Sequence, residues 1–170
     1  MQAKKILIAE DEADMRMSLE LVLERMGHDP SSVDNGRDAL DILVTSQLRE
    51  KPVDLLLCDI QMPRMRGDEL ISAMQRRKIE TPALVITGFG DKEMVVHLMR
   101  LGCRDFIDKP FTPQQLESRV NMLLEDRDSE ENEKKRMSFL ARVGESARST
   151  VHDVNNALAA TFGYADMLLE

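Results

Sequence analysis

Asp54-Leu55-Leu56-Leu57-Cys58-Asp59-Ile60-Gln61-Met62-Pro63 carries the reading of the fold: Val53 to Cys58 is a short apolar run bounded by proline and charge, closed by the carboxylate of Asp59. Such a run reads as a strand buried on both faces, which is the habit of parallel sheets. Ile6-Leu7-Ile8-Ala9 and Ala83-Leu84-Val85-Ile86 have the same character, and weaker strands are expected around Ser31-Val33 and at Asp105-Phe106-Ile107-Asp108. Between them lie helical patterns: Met15 to Met26 ending at Gly27, Arg37 to Leu48 after Asn35-Gly36, Glu69 to Met74, Lys92 to Leu101 ending at Gly102, and a last helix with Pro113 at its first position. The βα alternation predicts an α/β class with an open parallel sheet. In such sheets the functional site lies beyond the carboxyl ends of the strands.

Composition sets the outer limits. The chain has 170 residues, with 31 acidic against 23 basic side chains and a net charge of −8, enough for one domain plus an appendage. The acidic balance argues against a general nucleic-acid binder, whose affinity comes from clustered Lys and Arg. No apolar run approaches the roughly 18 residues of a membrane span. The start Met1-Gln2-Ala3-Lys4-Lys5 does not read as a signal peptide, and Cys58 and Cys103 lie apart in apolar stretches without metal-like spacing. A soluble, reduced, cytoplasmic protein is the expectation.

The polar residues at the strand ends are the candidates for chemistry. Glu10-Asp11-Glu12 follows the first strand, Asp59 ends the third, Thr87 ends the fourth, and Lys109-Pro110 follows the fifth. Carboxylates held close repel one another unless a cation joins them, and hard oxygen ligands suit Mg²⁺. A nearby Lys and a hydroxyl complete the parts of a phosphoryl-transfer site with a carboxylate nucleophile.

These stretches, with Gly67, Val85-Ile86-Thr87-Gly88 and Asp105-Phe106-Ile107-Asp108-Lys109-Pro110-Phe111, resemble the receiver domain of two-component response regulators over residues 1–125. The resemblance implies a doubly wound, flavodoxin-like sheet of five strands in the order 2-1-3-4-5. It implies that Asp59 is the phosphoacceptor, and that Asp11, Asp59 and the Gln61 main-chain carbonyl hold Mg²⁺ while Glu10 acts through a bound water. Thr87 and Lys109 would contact the phosphoryl oxygens, the Lys109-Pro110 bond would be cis, and Thr87 with Phe106 would carry the switch. The expected partner is a phosphodonor histidine kinase or phosphotransfer domain. Arg64-Met65-Arg66 departs from the pattern by putting two cations in the loop after Asp59; an acidic partner, an altered phosphoryl lifetime and a plain solvated loop are all open readings.

Residues 126–170 form a second region. After the charged stretch Glu125 to Arg136, apolar residues return at Leu140, Val143, Ala147, Val151, Val154, Leu158, Phe162, Ala165 and Leu169, spacings that average close to an 11-residue repeat. One helix cannot bury such a stripe alone, so a long amphipathic helix that forms a homodimer is expected. His28 and His97 read as structural, whereas His152 sits one position off the stripe, with Asp153 beside it and Asn156 one turn on. His152-Asp153-x-Asn155-Asn156 resembles the H-box of the dimerisation and histidine-phosphotransfer domain of hybrid sensor kinases. The resemblance implies a phosphohistidine at His152, an acid/base partner in Asp153 and a water-positioning role for Asn156. The expectation is a receiver fused to the first helix of a truncated kinase domain, without the ATP-binding domain that autonomous activity needs. The rival is a noncatalytic adaptor whose helical tail dimerises and docks partners.

Overall fold

The computed structural model describes residues 2–49, 52–88, 92–130, 132–133 and 137, with residues 92–95 described in backbone only. The chain divides into two compact units, Met1–Arg127 and Asp128–Glu170. In the second, the described residues 128–130, 132–133 and 137 are helical. No helix among the described residues is long and apolar enough to cross a membrane.

The first unit is built on five parallel strands: β1 (Lys5–Ala9), β2 (Asp29–Val33), β3 (Leu55–Asp59), β4 (Ala83–Thr87) and β5 (Asp105–Asp108), in the order β2-β1-β3-β4-β5. The helices are α1 (Ala13–Arg25), α2 (Gly36–Leu48), α3 (Gly67–Arg76), α4 (Lys92–Arg100) and α5 (113–127). This is the doubly wound, flavodoxin-like receiver architecture that the apolar runs and the resemblance predict. The period-2 alternation of the strands divides their side chains between two cores. Leu7, Ala9, Leu56, Cys58 and Val85 meet Leu40, Leu43, Leu70, Met74 and Leu98 on the face covered by α2, α3 and α4. Ile6, Ile8, Leu57, Leu84 and Ile86 meet Leu19, Leu23, Leu116 and Val120 of α1 and α5 on the other. Each fully buried Leu or Ile stabilises the fold by about 1.5–3 kcal/mol, so the three central strands anchor it.

Several boundaries differ from the sequence expectation, and three elements show why. β2 begins earlier, at Asp29, and contains Pro30; it is an edge strand, where a missing N–H costs no ladder bond on the open side. β3 begins later, at Leu55, and the Val53 carbonyl bonds outside the ladder, accepting from Thr81 Oγ1 at 3.3 Å and Arg127 Nη1 at 2.7 Å. α3 extends two residues beyond the apolar pattern at each end, and its start is secured by the Glu69 carboxylate accepting from Arg66 N–H at 2.9 Å.

The helix ends follow their local chemistry. Asn35 caps α2, its Oδ1 accepting from Asp38 N–H at 2.9 Å. Thr112 and Gln115 exchange side-chain-to-backbone bonds of 3.3 and 2.8 Å ahead of Pro113, a capping box at the start of α5. α1 and α4 close on Gly27 and Gly102 with φ of 83° and 89°, and the following N–H groups return to Leu23 O and Leu98 O, as the left-handed closing turn requires. α3 ends in the same turn with Lys78 at φ 56° instead of a glycine.

Candidate functional site

The ladder registers Ala9 with Cys58, Asp59 with Ile86 and Thr87 with Asp108, which brings the carboxyl ends of β1, β3, β4 and β5 to one edge. Four of the sequence-predicted residues meet there. Glu10 and Asp59 are buried, at 1% and 7% exposure, although both are carboxylates, and burial of a charge demands a partner. Lys109 supplies it: Nζ donates to Asp59 Oδ2 at 2.6 Å and to Glu10 Oε2 at 3.0 Å. The other oxygens are held by main chain, Gln61 N–H donating to Asp59 Oδ1 at 3.0 Å and Glu12 N–H to Glu10 Oε1 at 3.2 Å.

The electrostatics are those of two acids sharing one cation. Burial pushes the Glu10 carboxyl above its usual range, Lys109 pulls it part of the way back, and the neighbouring charge of Asp59 adds to the rise. For Lys109, burial favours the neutral amine, but the hydrogen bonds and charges of Asp59 and Glu10 outweigh it and hold the ammonium above its usual value.

Asp11 is exposed and closes the acidic group: one carboxylate oxygen from each of Glu10, Asp11 and Asp59 lies within 4.8 Å of the others. Three hard oxygen donors at that spacing, open to solvent on the Asp11 side, fit a Mg²⁺ that keeps several of its waters. Gln61, two residues after Asp59, is placed beside this group by its own N–H bond to Asp59. Thr87 is buried at the end of β4, with its hydroxyl donating to the Gly88 carbonyl at 3.2 Å; Gly88 is exposed. The Lys109-Pro110 bond is cis, as the resemblance implies. Phe106 is partly buried and packs against the core on the α2, α3 and α4 face. His152, Asp153 and Asn156 lie outside the described residues.

The two cations of the loop after Asp59 are engaged locally. Arg64, in the left-handed region at φ 61°, reaches Asp38 Oδ2 at 3.4 Å, and Arg66 Nε reaches Asp68 at 3.1 Å. Gly67 follows, with its N–H on Ile60 O at 3.0 Å. A Cβ there would stand 2.3 Å from Asp59 O, so the close return of α3 to the strand end requires glycine.

Sequence reading missed Arg16. It lies in the first turns of α1, and its Nη1 donates to Glu10 O at 2.7 Å and Asp11 O at 3.2 Å. Its only signal in the sequence is a cation five residues after an acidic pair, common on any helix.

The family model for the response regulator receiver domain matches residues 6–121. The chain belongs to this family. The receiver is 35% identical over 124 residues to the probable transcriptional regulator ycf27 of Porphyridium aerugineum, covering 73% of this chain and 49% of that protein. It is 28% identical over 119 residues to the response regulator SaeR of Staphylococcus aureus, covering 70% and 50%. The chain thus spans about half the length of these curated relatives. Among solved structures, the receiver domain of a signal transduction histidine kinase from Syntrophus aciditrophicus is 32% identical, with a TM-score of 0.64 over 73% of this chain and 92% of that one. The receiver domain of a putative Luxo repressor protein from Vibrio parahaemolyticus is 25% identical, with a TM-score of 0.68 over 76% and 96%. Membership makes this receiver a phosphoacceptor module of two-component signalling.

Proposed function

We propose that Asp59 is the residue that accepts the phosphoryl group, from the phosphohistidine of a histidine kinase or phosphotransfer domain. The observation that carries this reading is the pair of bonds from Lys109 Nζ to Asp59 and Glu10, 2.6 and 3.0 Å. They hold Asp59 as a buried carboxylate beside an ammonium and a second acid, at the sheet edge where β4 also ends in Thr87. An Asp59 carboxylate oxygen attacks phosphorus, the donor's P–N bond breaks, and the product is an acyl phosphate. Lys109 then turns from the carboxylates to the new phosphoryl oxygens, and the Thr87 hydroxyl donates to another. Glu10, Asp11, Asp59 and the Gln61 carbonyl are the residues that would hold Mg²⁺, whose charge offsets that of the phosphoryl group. Movement of Thr87 toward the phosphoryl group frees space into which Phe106 turns, converting a local charge event into a change of surface.

The test is incubation with phosphoramidate or acetyl phosphate and Mg²⁺, read by intact mass. The wild-type chain gains one phosphoryl group that is labile at alkaline pH. Asp59→Asn gains none; a label of equal extent in that variant refutes the assignment.

A second reading concerns residues 126–170, and the H-box likeness of His152-Asp153-x-Asn155-Asn156 favours it. In it, the segment is the first helix of a dimerising phosphotransfer domain, and His152 exchanges phosphoryl groups with a receiver. The curated relatives named above are transcriptional and response regulators, whereas the Syntrophus structure belongs to a histidine kinase. Supplying a kinase ATP-binding domain and ATP to a chain extended through a second helix separates the cases: label at His152, lost in His152→Gln, supports the phosphotransfer helix. Its absence leaves the adaptor.

A further inference from the structure

We propose that Arg16 is a positioning residue for the divalent cation, an inference that rests on the Mg²⁺ reading of the acidic group. The acidic turn after β1 is held by two cations acting on different atoms. Lys109 binds one carboxylate oxygen of Glu10 and one of Asp59, so it acts on the same side-chain groups that would hold a metal. Among the described residues Arg16 binds only the main-chain carbonyls of Glu10 and Asp11, at 2.7 and 3.2 Å. Its contacts are compatible with an ion on the carboxylates, because they occupy none of the carboxylate oxygens.

The clamp has a definite geometric task. Asp11 is exposed, and no side-chain hydrogen bond to its carboxylate is seen among the described residues. Its approach to Asp59 and Glu10 is therefore set by the backbone between β1 and α1. One guanidinium nitrogen on two consecutive carbonyls fixes that backbone from the α1 side, while Glu10 N–H on Val33 O at 3.1 Å fixes it from the β2 side. Arg16 is itself half-buried, which limits its freedom. Arginine suits this role because Nη1 lies one bond further from the backbone than a lysine Nζ and is held in a planar head, so it carries its donors to both carbonyls from α1.

The sign of the effect separates positioning from simple charge. A cation near three carboxylates lowers their affinity for Mg²⁺ by repulsion, so deleting it would tighten binding if charge were its whole contribution. Positioning predicts the reverse, a loss of about tenfold or more, the usual size when a group that orients metal ligands is removed. The experiment titrates wild-type, Arg16→Met and Arg16→Lys chains with Mn²⁺, reading free ion by electron paramagnetic resonance and displacing it with Mg²⁺; amide NMR spectra without metal report on the fold. Arg16→Met binds at least tenfold more weakly and Arg16→Lys recovers only part, because its shorter side chain restores the charge but does not carry the donor as far as Nη1. Unchanged or tighter binding in Arg16→Met, or full recovery by Arg16→Lys, overturns the inference while the metal site stands. No saturable binding by the wild-type chain overturns the metal reading and this inference together. Should Arg16→Met fail to fold, the comparison of Arg16→Lys with wild type decides on the same criterion.

Discussion

Gly67→Ala tests how tightly the site is built. The new Cβ would stand 2.3 Å from Asp59 O, 2.9 Å from Ile60 Cα and 3.1 Å from Asp59 C, all of them main-chain atoms. An unstrained carbon-to-carbonyl contact is about 3.3–3.6 Å, so the start of α3 and the end of β3 must part by about 1 Å. No flexible side chain is available to absorb the shift, and the Gly67 N–H bond to Ile60 O at 3.0 Å is stretched with it. Overpacking of this kind costs about 1–3 kcal/mol, read as a lower urea midpoint with unchanged slope. Chemistry suffers more, because displacing a reacting group by about 1 Å lowers rates by about 10²-fold. The assay is the initial rate of phosphoramidate labelling with Mg²⁺, at urea concentrations far below the unfolding transition. A variant that unfolds earlier yet labels at the wild-type rate would show that the α3 contact stabilises the domain without placing Asp59. A variant unchanged in both would refute the packing argument altogether.

Other outcomes follow from the same geometry. Lys109→Met leaves Glu10 and Asp59 without their shared cation: labelling is lost, and the fall in urea midpoint is larger at pH 8 than at pH 5, since Glu10, already raised by burial, needs no cation once protonated. Equal losses at both pH values would exclude Glu10 as the strained group. Among the described residues His28 has no hydrogen-bond partner at either ring nitrogen, and burial lowers it from its ordinary 6.5 against the pull of Asp54 and with the help of Lys4. The unfolded chain therefore takes up the proton first, so stability is full above pH 6.5 and declines as pH falls below it; His28→Phe flattens that part of the curve in urea titrations. Lys78→Gly removes a side chain from the left-handed turn at φ 56° and raises stability by up to about 1 kcal/mol, seen as a higher melting temperature. Mg²⁺ at a hundredfold excess over its Kd stabilises the wild-type chain by about 2.7 kcal/mol, and EDTA reverses the shift; Asp59→Asn shows a smaller response.

Much of the protein was legible in order along the chain. Leu55 to Asp59, with its counterparts Ile6 to Ala9 and Ala83 to Thr87, announces central strands because a strand covered on both faces has no polar position to spare. Gly27, Gly102, Asn35 and Thr112-Pro113 mark helix ends because their chemistry is local, acting within one turn. The acidic pair, Asp59, Thr87 and Lys109 were identifiable as a group because each follows a strand, and a parallel sheet carries all such positions to one edge.

Tertiary structure alone decided the rest. Lys109 and Asp59 are 50 residues apart, and that one ammonium serves both Asp59 and Glu10 depends on distances that no local pattern encodes. The requirement for glycine at position 67 comes from the main chain of Asp59 lying across it, not from any turn geometry of its own. Arg16 looked like any charged residue of a surface helix until folding set it against the Glu10 and Asp11 carbonyls. Sequence by itself determined which residues are apolar, which cap helices and which carboxylates stand at strand ends, because those properties belong to a residue and its near neighbours. The pairing of charges, the burial of Glu10 and the close approach at Gly67 belong to the packed sheet and helices, since only there do distant segments share a low-dielectric space and a fixed distance.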